Sequence, residues 1–462
     1  MKRFVLAFAA IAVTTISASA SAQVWLRDRA STQGPGIRSG DLEYHPGIGV
    51  ELGYDSNYFQ RSPGDTSGYP VVDTVKLRVT PSFHVSTLTT QRTEGAPTAP
   101  PKFSFNGGAA LIYSEYLTNT AITAPAGPNL GAGGLGRNRD FGIAADLALG
   151  IAPGRPWGFN IIDQFTRTAQ PSLDPDPNVG LDRDDNRATG ELVYTKPGGL
   201  LDWHFGYTFG ITYFESAQAR SLTNDQHTIF TKGRWKFLPR TAFIYDGNVT
   251  FIRYTNATTL SDSTPIRTRV GLNGLFTDRL SLLFLVGWGA SFYNNAPVGG
   301  DFDSVIGQVE ARYFLTGSAP EAGAAAPSTS SFAVGFTRDF YNYFIGNFYE
   351  RDRGYMSLSA LFSQKFFLSL EAGVAAIRYS AIYRAPAGPG TTAGIASTGF
   401  TDTRVDATLF GEYRAKDWLG FNATAQYLGE YSTTTLALST PNGRYDPRFN
   451  RFQLLVGVRA AF

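Results

Sequence analysis

The amino-acid sequence predicts an all-β protein, a closed antiparallel transmembrane β-barrel of about 18 strands. Three observations carry that expectation: apolar side chains recur at every second position in many segments, short and long connections alternate between those segments, and the chain stops on one of them. The last stretch shows the pattern. Counting back in twos from Phe462 gives Ala460, Val458, Val456, Leu454 and Phe452, with Ala461, Arg459, Gly457, Leu455 and Gln453 between them. A strand sends successive side chains to opposite faces, so one face is apolar and the other mostly polar or small.

Residues 1–22 read as a secretory signal peptide: Lys2 and Arg3, the apolar run Phe4 to Val13, then Ala-Ser-Ala ending at Ala20 and again at Ala22, where cleavage is expected. The apolar run is too short to span a membrane, and no later stretch holds the roughly 20 consecutive apolar residues of a transmembrane helix. Residues 23–46 read as a periplasmic N-terminal segment and 47–462 as the outer-membrane barrel of a Gram-negative cell.

Strands are expected near 47–59, 72–87, 102–117, 139–152, 157–168, 186–196, 201–216, 225–237, 241–255, 265–276, 279–293, 302–315, 331–341, 347–362, 364–380, 402–415, 417–433 and 449–462. Trp203, Phe205, Tyr207, Phe209, Ile211 and Tyr213 share one face of their segment, and Val75, Leu77, Val79, Phe83 and Val85 one face of theirs. Short turns fall at Pro153-Gly154-Arg155, Pro197-Gly198-Gly199, Leu238-Pro239-Arg240, Thr277-Asp278, Ser363 and Lys416. Longer loops lie between them at 60–71, 118–138, 169–185, 256–264, 381–401 and 434–448. This is the outer-membrane pattern of short periplasmic turns and long outside loops, with both termini in the periplasm. Two long Pro/Ala/Ser/Gly-rich connections, 88–101 and 316–330, depart from it and read as flexible spacers.

The segment Trp157 to Arg167 is the weakest. Its Ile161-Ile162 pair breaks the alternation, so Asp163 and Arg167 face lipid unless a bulge turns them inward. A soluble β-helix or propeller competes poorly: no fixed-period repeat appears, and the apolar faces would have no second sheet to cover them. In lipid, a closed barrel satisfies every backbone group, with the last strand closing against the first near Ile48 to Leu52.

Cysteine is absent, and a net charge of +2 with 17% charged residues argues against a nucleic-acid partner. Aromatics make up 14%, with 35 Phe, 23 Tyr and 50 Gly, a composition that suits a barrel with aromatic interface girdles. The 4 histidines are scattered, and no nucleophile elbow or phosphate-binding loop appears, so neither an enzyme nor a cofactor is expected. The loop Asp174, Asp176, Asn178, Asp182, Asp184, Asp185 has oxygens suited to calcium, but its spacing misses the EF-hand pattern and it reads as a solvated acidic loop; no metal is assigned.

A barrel of this size encloses an aqueous lumen, so its inward side chains carry the function. The candidate pore-lining residues are Lys76, Arg78, Lys232, Arg234, Lys236, Asp246, Arg267, Arg269, Glu310, Arg312, Arg404, Asp406 and Glu412. Arg351, Arg353, Arg414 and Arg459, and the acids Glu51, Asp55, Asp146, Glu191 and Glu371, are placed on the same face. The basic residues favour anions if they act alone; paired with the acids, they form a mixed network that keeps a wide wall wet and rigid.

Two local features resemble known outer-membrane proteins. Phe462, Ala460 and Gly457 resemble the C-terminal signal read by the barrel-assembly machinery, although Leu455 stands where a polar residue is common and Ala460 is smaller than usual. The stretch "VELGYDSNYF", with Gly53, Tyr54, Asp55, Ser56 and Asn57, resembles the opening motif of the outer-membrane β-barrel porin type 2 family, barrels associated with polysaccharide export. By a second reading, Asp55, Ser56 and Asn57 end a strand and cap a turn. The resemblance implies an outer-membrane passage for exopolysaccharide, served by a periplasmic polysaccharide exporter. The alternatives are a passive or solute-selective porin for small hydrophilic molecules, and an adhesive protein acting through loops 118–138 and 381–401.

Overall fold

A computed structural model describes residues 36–58, 60–63, 71–87, 101–117, 139–168, 182–215, 220–255, 260–294, 300–315, 330–343, 347–363, 365–384, 394–397, 399–434, 436–437 and 444–462. The expected signal peptide, nearly all of both spacers, the loop 118–138 and the acidic stretch 174–181 lie outside these residues.

The strands are β1 (Leu42–Asp55), β2 (Thr74–Thr87), β3 (Phe103–Tyr116), β4 (Arg139–Ile151), β5 (Trp157–Thr168), β6 (Arg183–Thr195), β7 (Leu201–Phe214), β8 (Asn224–Leu238) and β9 (Thr241–Tyr254). The second half comprises β10 (Ser263–Leu275), β11 (Leu280–Tyr293), β12 (Phe302–Phe314), β13 (Ser331–Asn342), β14 (Phe348–Phe362), β15 (Phe366–Tyr379), β16 (Phe400–Lys416), β17 (Leu419–Tyr431) and β18 (Phe449–Ala461). Each pairs antiparallel with the next, and β18 pairs with β1 from Gly47↔Ala461 to Asp55↔Gln453, so the sheet closes on itself. A short strand, Ile37–Ser39, folds back on Tyr44–Leu42.

Outward positions carry the apolar alternation. Trp157, Trp235, Tyr313, Phe362, Phe366, Tyr413 and Phe462 ring the end with the short turns, while Tyr54, Phe141, Tyr213, Phe292, Tyr431 and Phe452 lie towards the other. An apolar band between aromatic girdles on a closed antiparallel barrel places the chain in the outer membrane of a Gram-negative cell.

Three elements differ from or sharpen the expectation. β1 begins at Leu42, because residues 42–46 continue to pair with β2 after β18 has ended; Phe462 N–H donates to Pro46 O at 2.9 Å. β6 begins at Arg183, three residues before the expected start, because both faces are polar there: Arg183 and Asp185 point inward, Asp184 and Asn186 outward, and no hydrophobic alternation marks the strand. β5 has no bulge. Its register with β4 and β6 is unbroken, so Asp163 and Arg167 share the outward face with Trp157, Phe159 and Ile161. Asn186 Nδ2 donates to Asp163 Oδ1 at 3.1 Å, and Arg167 Nε donates to Glu215 Oε1 at 2.6 Å. Six residues of a tilted strand rise about 15 Å, so Asp163 lies within the roughly 25 Å apolar band above Trp157.

The seam between β1 and β18 is made by the Gly53–Asn57 motif. Asp55 is fully buried and receives two of the three Arg451 guanidinium nitrogens, Nε at 2.9 Å and Nη2 at 2.5 Å, together with Gln453 Nε2 at 2.7 Å. Ser56 exchanges two bonds with the Phe452 backbone, donating N–H to its O at 2.9 Å and accepting its N–H on Oγ at 2.8 Å. Asn57 Nδ2 donates to Arg61 O at 2.8 Å and to Asn450 O at 3.1 Å, capping the turn and tying it to β18. Leu455, the apolar departure in the terminal signal, packs over Gly53, where a Cβ would lie 2.8 Å from Leu455 Cδ2. The motif therefore ends the strand, caps the turn and fastens first strand to last.

Removing one partner of a buried ion pair leaves the other charge desolvated, at a cost of about 3–5 kcal/mol. Arg451→Ala is expected to lower the unfolding temperature of the detergent-purified barrel, read as the temperature at which the compact band on an unheated gel is lost. Arg240→Ala, at the exposed turn pair Arg240–Asp278, is expected to change it little by comparison.

Candidate translocation pathway

Inward side chains divide the barrel wall into two unlike halves. From β12 round to β2 they are tightly packed: Glu51, Asp55, Ser357, Asp402 and Glu412 are each at most 1% exposed. From β5 to β9 the inward side chains Gln164, Thr166, Arg187, Thr189, Thr208, Gln226, Thr228, Lys232 and Asn248 retain solvent exposure. This face offers hydroxyls, amides and a few charges. Thr189 and Thr208 hydroxyls lie 2.8 Å apart, and Thr228 and Thr250 hydroxyls 2.9 Å apart, so the wall presents hydrogen-bonding groups in both roles.

Every candidate pore-lining residue points inward, but most of the cations are held by acids. Arg78 Nη2 lies 2.6 Å from Glu51, Lys232 Nζ 2.9 Å from Glu191, Arg234 3.4 Å from Asp202, Arg269 3.0 Å from Asp246 and Arg312 2.9 Å from Glu310. Arg267 meets Asp339 at 3.0 Å, Arg404 meets Glu430 at 2.5 Å, and Arg459 meets Glu412 at 2.5 Å. Asp406 receives Arg353 at 2.5 Å. Lys76, adjacent to the seam, is buried, and Lys236 lies at the turn end of β8. Of the two sequence readings of the lining, this arrangement is the mixed network: neighbouring charges cancel, and the local field is weaker than the number of arginines implies.

Many of these contacts skip a strand, and an inward glycine makes room each time. Glu51 on β1 lies across Gly457 of β18 to accept Asn422 Nδ2 on β17 at 2.7 Å; a Cβ at Gly457 would sit 2.3 Å from Glu51 Cγ. Tyr355 crosses Gly335 to donate to Glu310 at 2.7 Å, Arg353 crosses Gly373 to reach Asp406, and Arg459 passes Gly420 to reach Glu412. These bridges knit the packed half into a second, inner layer. Sequence pattern identified the charges but not the bridges, because the glycines are far from their partners in the chain.

One contact goes further. β13 pairs with β12 only up to Gly307↔Arg338, and its last residues pass inside the wall. Phe340 and Asn342 have the parity of the lipid-facing Val334 and Phe336, yet they touch inward groups of β10–β12. Phe340 is fully buried, its ring stacked on Phe302 at 4.2 Å and seated on Gly289, where a Cβ would meet it at 2.7 Å. Asn342 Nδ2 donates to Ser263 Oγ at 2.5 Å, and Tyr293 OH donates to Asn342 Oδ1 at 2.9 Å. Behind the tip, Tyr341 stacks on Tyr349 at 5.1 Å and Tyr379 on Phe400 at 4.6 Å. The tip thus stands inside the barrel by about one sheet-packing distance, roughly 10 Å.

The histidines do not gather into one site. His45 and His84 become cross-strand neighbours with ring centroids 6.5 Å apart, His204 joins the Glu191–Asp202 network, and His227 faces outward with Tyr207. Asp184 and Asp185 of the acidic loop fall on opposite faces of β6, and Asp185 accepts Thr212 Oγ1 at 2.7 Å.

No protein-family model matches the chain, and no curated protein matches it. Among solved structures it is similar to the outer membrane protein opdK from Pseudomonas aeruginosa, with 11% identity, 91% of this chain and 99% of that chain covered, and a TM-score of 0.43. It is also similar to a BenF-like porin from Pseudomonas fluorescens Pf-5 (10% identity, 91% and 99% covered, TM-score 0.45) and to the siderophore receptor PirA from Pseudomonas aeruginosa (10% identity, 92% and 81% covered, TM-score 0.41). Likeness at this level assigns no cargo.

Neutralising one acid of a pair releases its cation into the lumen. Glu191→Gln, which frees Lys232, and Asp246→Asn, which frees Arg269, are each expected to move the zero-current potential of the reconstituted barrel in a salt gradient towards anion preference. Thr228→Val, on the same wall, should leave it where it is.

Proposed function

We propose that the chain is a selective channel for small hydrophilic solutes across the outer membrane. The observation that carries this reading is the unlike halves of the wall: one is packed and cross-bridged, while the other presents exposed hydroxyl, amide and balanced charged groups along β5–β9. Such a surface exchanges hydrogen bonds with a passing polar solute at low net charge, which favours neutral or weakly charged cargo over strongly ionic cargo.

The exopolysaccharide-export expectation rested on the Gly53–Asn57 motif. Here Asp55, Ser56 and Asn57 are occupied in fastening β1 to β18, a task any closed barrel needs, so the motif gives no support to a polymer cargo or to a periplasmic polysaccharide exporter. The terminal Phe462, stacked on Trp418 at 5.5 Å in the turn-end girdle, supports delivery by the barrel-assembly machinery, with Gly457 and Ala460 as further parts of that signal.

The test combines proteoliposome swelling with a deletion strain. Vesicles holding the barrel should swell faster than protein-free vesicles in a neutral monosaccharide, with the corresponding uronate no faster. The deletion strain should keep its surface polysaccharide. Absence of swelling together with loss of surface polymer, restored on complementation, would overturn this reading in favour of export.

A further inference from the structure

The parted ladder between β12 and β13 leaves backbone groups that must find partners at membrane depth, and the side chains that supply them are identifiable. Asp339 Oδ1 accepts the Phe340 N–H at 2.8 Å, and Arg267 Nη2 donates to Phe340 O at 2.5 Å. Asp339 and Arg267 are themselves an ion pair at 3.0 Å, with the guanidinium 4.2 Å over the Phe340 ring. Across the gap, Arg338 Nε donates to Val305 O at 3.1 Å and its Nη2 to Ser304 Oγ at 3.3 Å. Side chains have thus replaced a strand partner on both sides of the opening.

The missing partner remains within reach. Continuing the register beyond Gly307↔Arg338 would put Phe340 opposite Val305 and Asn342 opposite Asp303. In that arrangement Phe340 would follow Val334 and Phe336 onto the lipid face, whereas it now fills the space over Gly289. Both positions are apolar, and both satisfy the Phe340 backbone. Two seats and two sets of backbone partners for one segment are what a switching element requires.

We propose that the tip of the β13–β14 pair, which stays joined from Asp339↔Arg351 to Asn342↔Phe348, is a movable stopper with two sets of partners on its β12 side: tucked inside the wall, held by Arg267 and Asp339, and rejoined to β12 along residues 302–306. Its effect on flow rests on the channel reading above. Tucked in, the tip carries its inner face, with Tyr341, into the lumen, while Asn342 stays against the wall. Rejoined, it returns to the cylinder and clears that space, and Asp339, then three strands from Arg267, parts from it.

The chain has no cysteine, so two cross-links can be placed without background. They share one position. Ser263→Cys with Asn342→Cys holds the tucked state, and Asp303→Cys with Asn342→Cys holds the rejoined state, each closed by a short reducible bis-thiol-reactive linker in the full-length reconstituted barrel. Asn342→Cys alone serves as the control. Link formation is read by mass spectrometry and conductance in planar bilayers, before and after reduction. Both pairs should link, with the tucked-linked barrel losing open events, the rejoined-linked barrel gaining them, and reduction reversing both. Failure of the Asp303/Asn342 pair to link while Ser263/Asn342 links fully would overturn the proposal, as would equal conductance of the two linked forms. If both pairs link and no form conducts, the exchange of partners stands and the channel reading fails.

Discussion

In hydrocarbon no water replaces a missing backbone partner, so every N–H and C=O of a membrane strand needs a protein group. The rest of this structure depends on that constraint. It explains why the sheet closes, why β1 continues below the end of β18 only where it still has β2 beside it, and why the one long parting described here, between β12 and β13, is occupied by Arg338 on one side and by Arg267 with Asp339 on the other. Of these, Arg267 reads from the sequence as a pore cation; in the folded wall both arginines serve as surrogate strand neighbours first.

The same economy shapes the lumen. An inward charge on so wide a barrel has water available, yet the half from β12 to β2 uses its charges as cross-braces, reaching over Gly335, Gly373, Gly420 and Gly457 to the strand beyond. A cylinder wall one strand thick resists shear through its ladder alone; bridges between next-nearest strands add a second set of constraints. The β5–β9 half has fewer such bridges and keeps its polar groups wetted. Stiff scaffold and interactive surface are thereby separated around the circumference.

Much of the fold was legible in the sequence. Period-two alternation is a strong signal where one face meets lipid, and it located all eighteen strands, most to within two or three residues. It weakened where both faces are polar, at Arg183 to Asn186, and at Ile161-Ile162, where an inward isoleucine imitated a slipped register. The site was less legible. Inward orientation of Lys232, Arg267 or Glu412 follows from parity, but their partners lie tens of residues away, and parity fails outright for Phe340, whose outward position in the pattern is overruled when its strand leaves the cylinder. The Gly53–Asn57 motif was recognisable in sequence, but its role needed Arg451 and Asn450 to be seen beside it.

The seam has one further consequence. Asp55 and Arg451 are 396 residues apart, so the fastening that completes the cylinder joins nearly the first strand made to nearly the last. Until β18 arrives, the growing sheet presents an open edge and Asp55 lacks the counter-charge that occupies it in the finished wall. Long-range pairing of this kind is slow, since the intervening chain must be ordered before the contact can form. Completion of the barrel therefore doubles as a length check: a chain cut short anywhere before Asn450 retains its lipid-facing pattern but has nothing with which to shut itself.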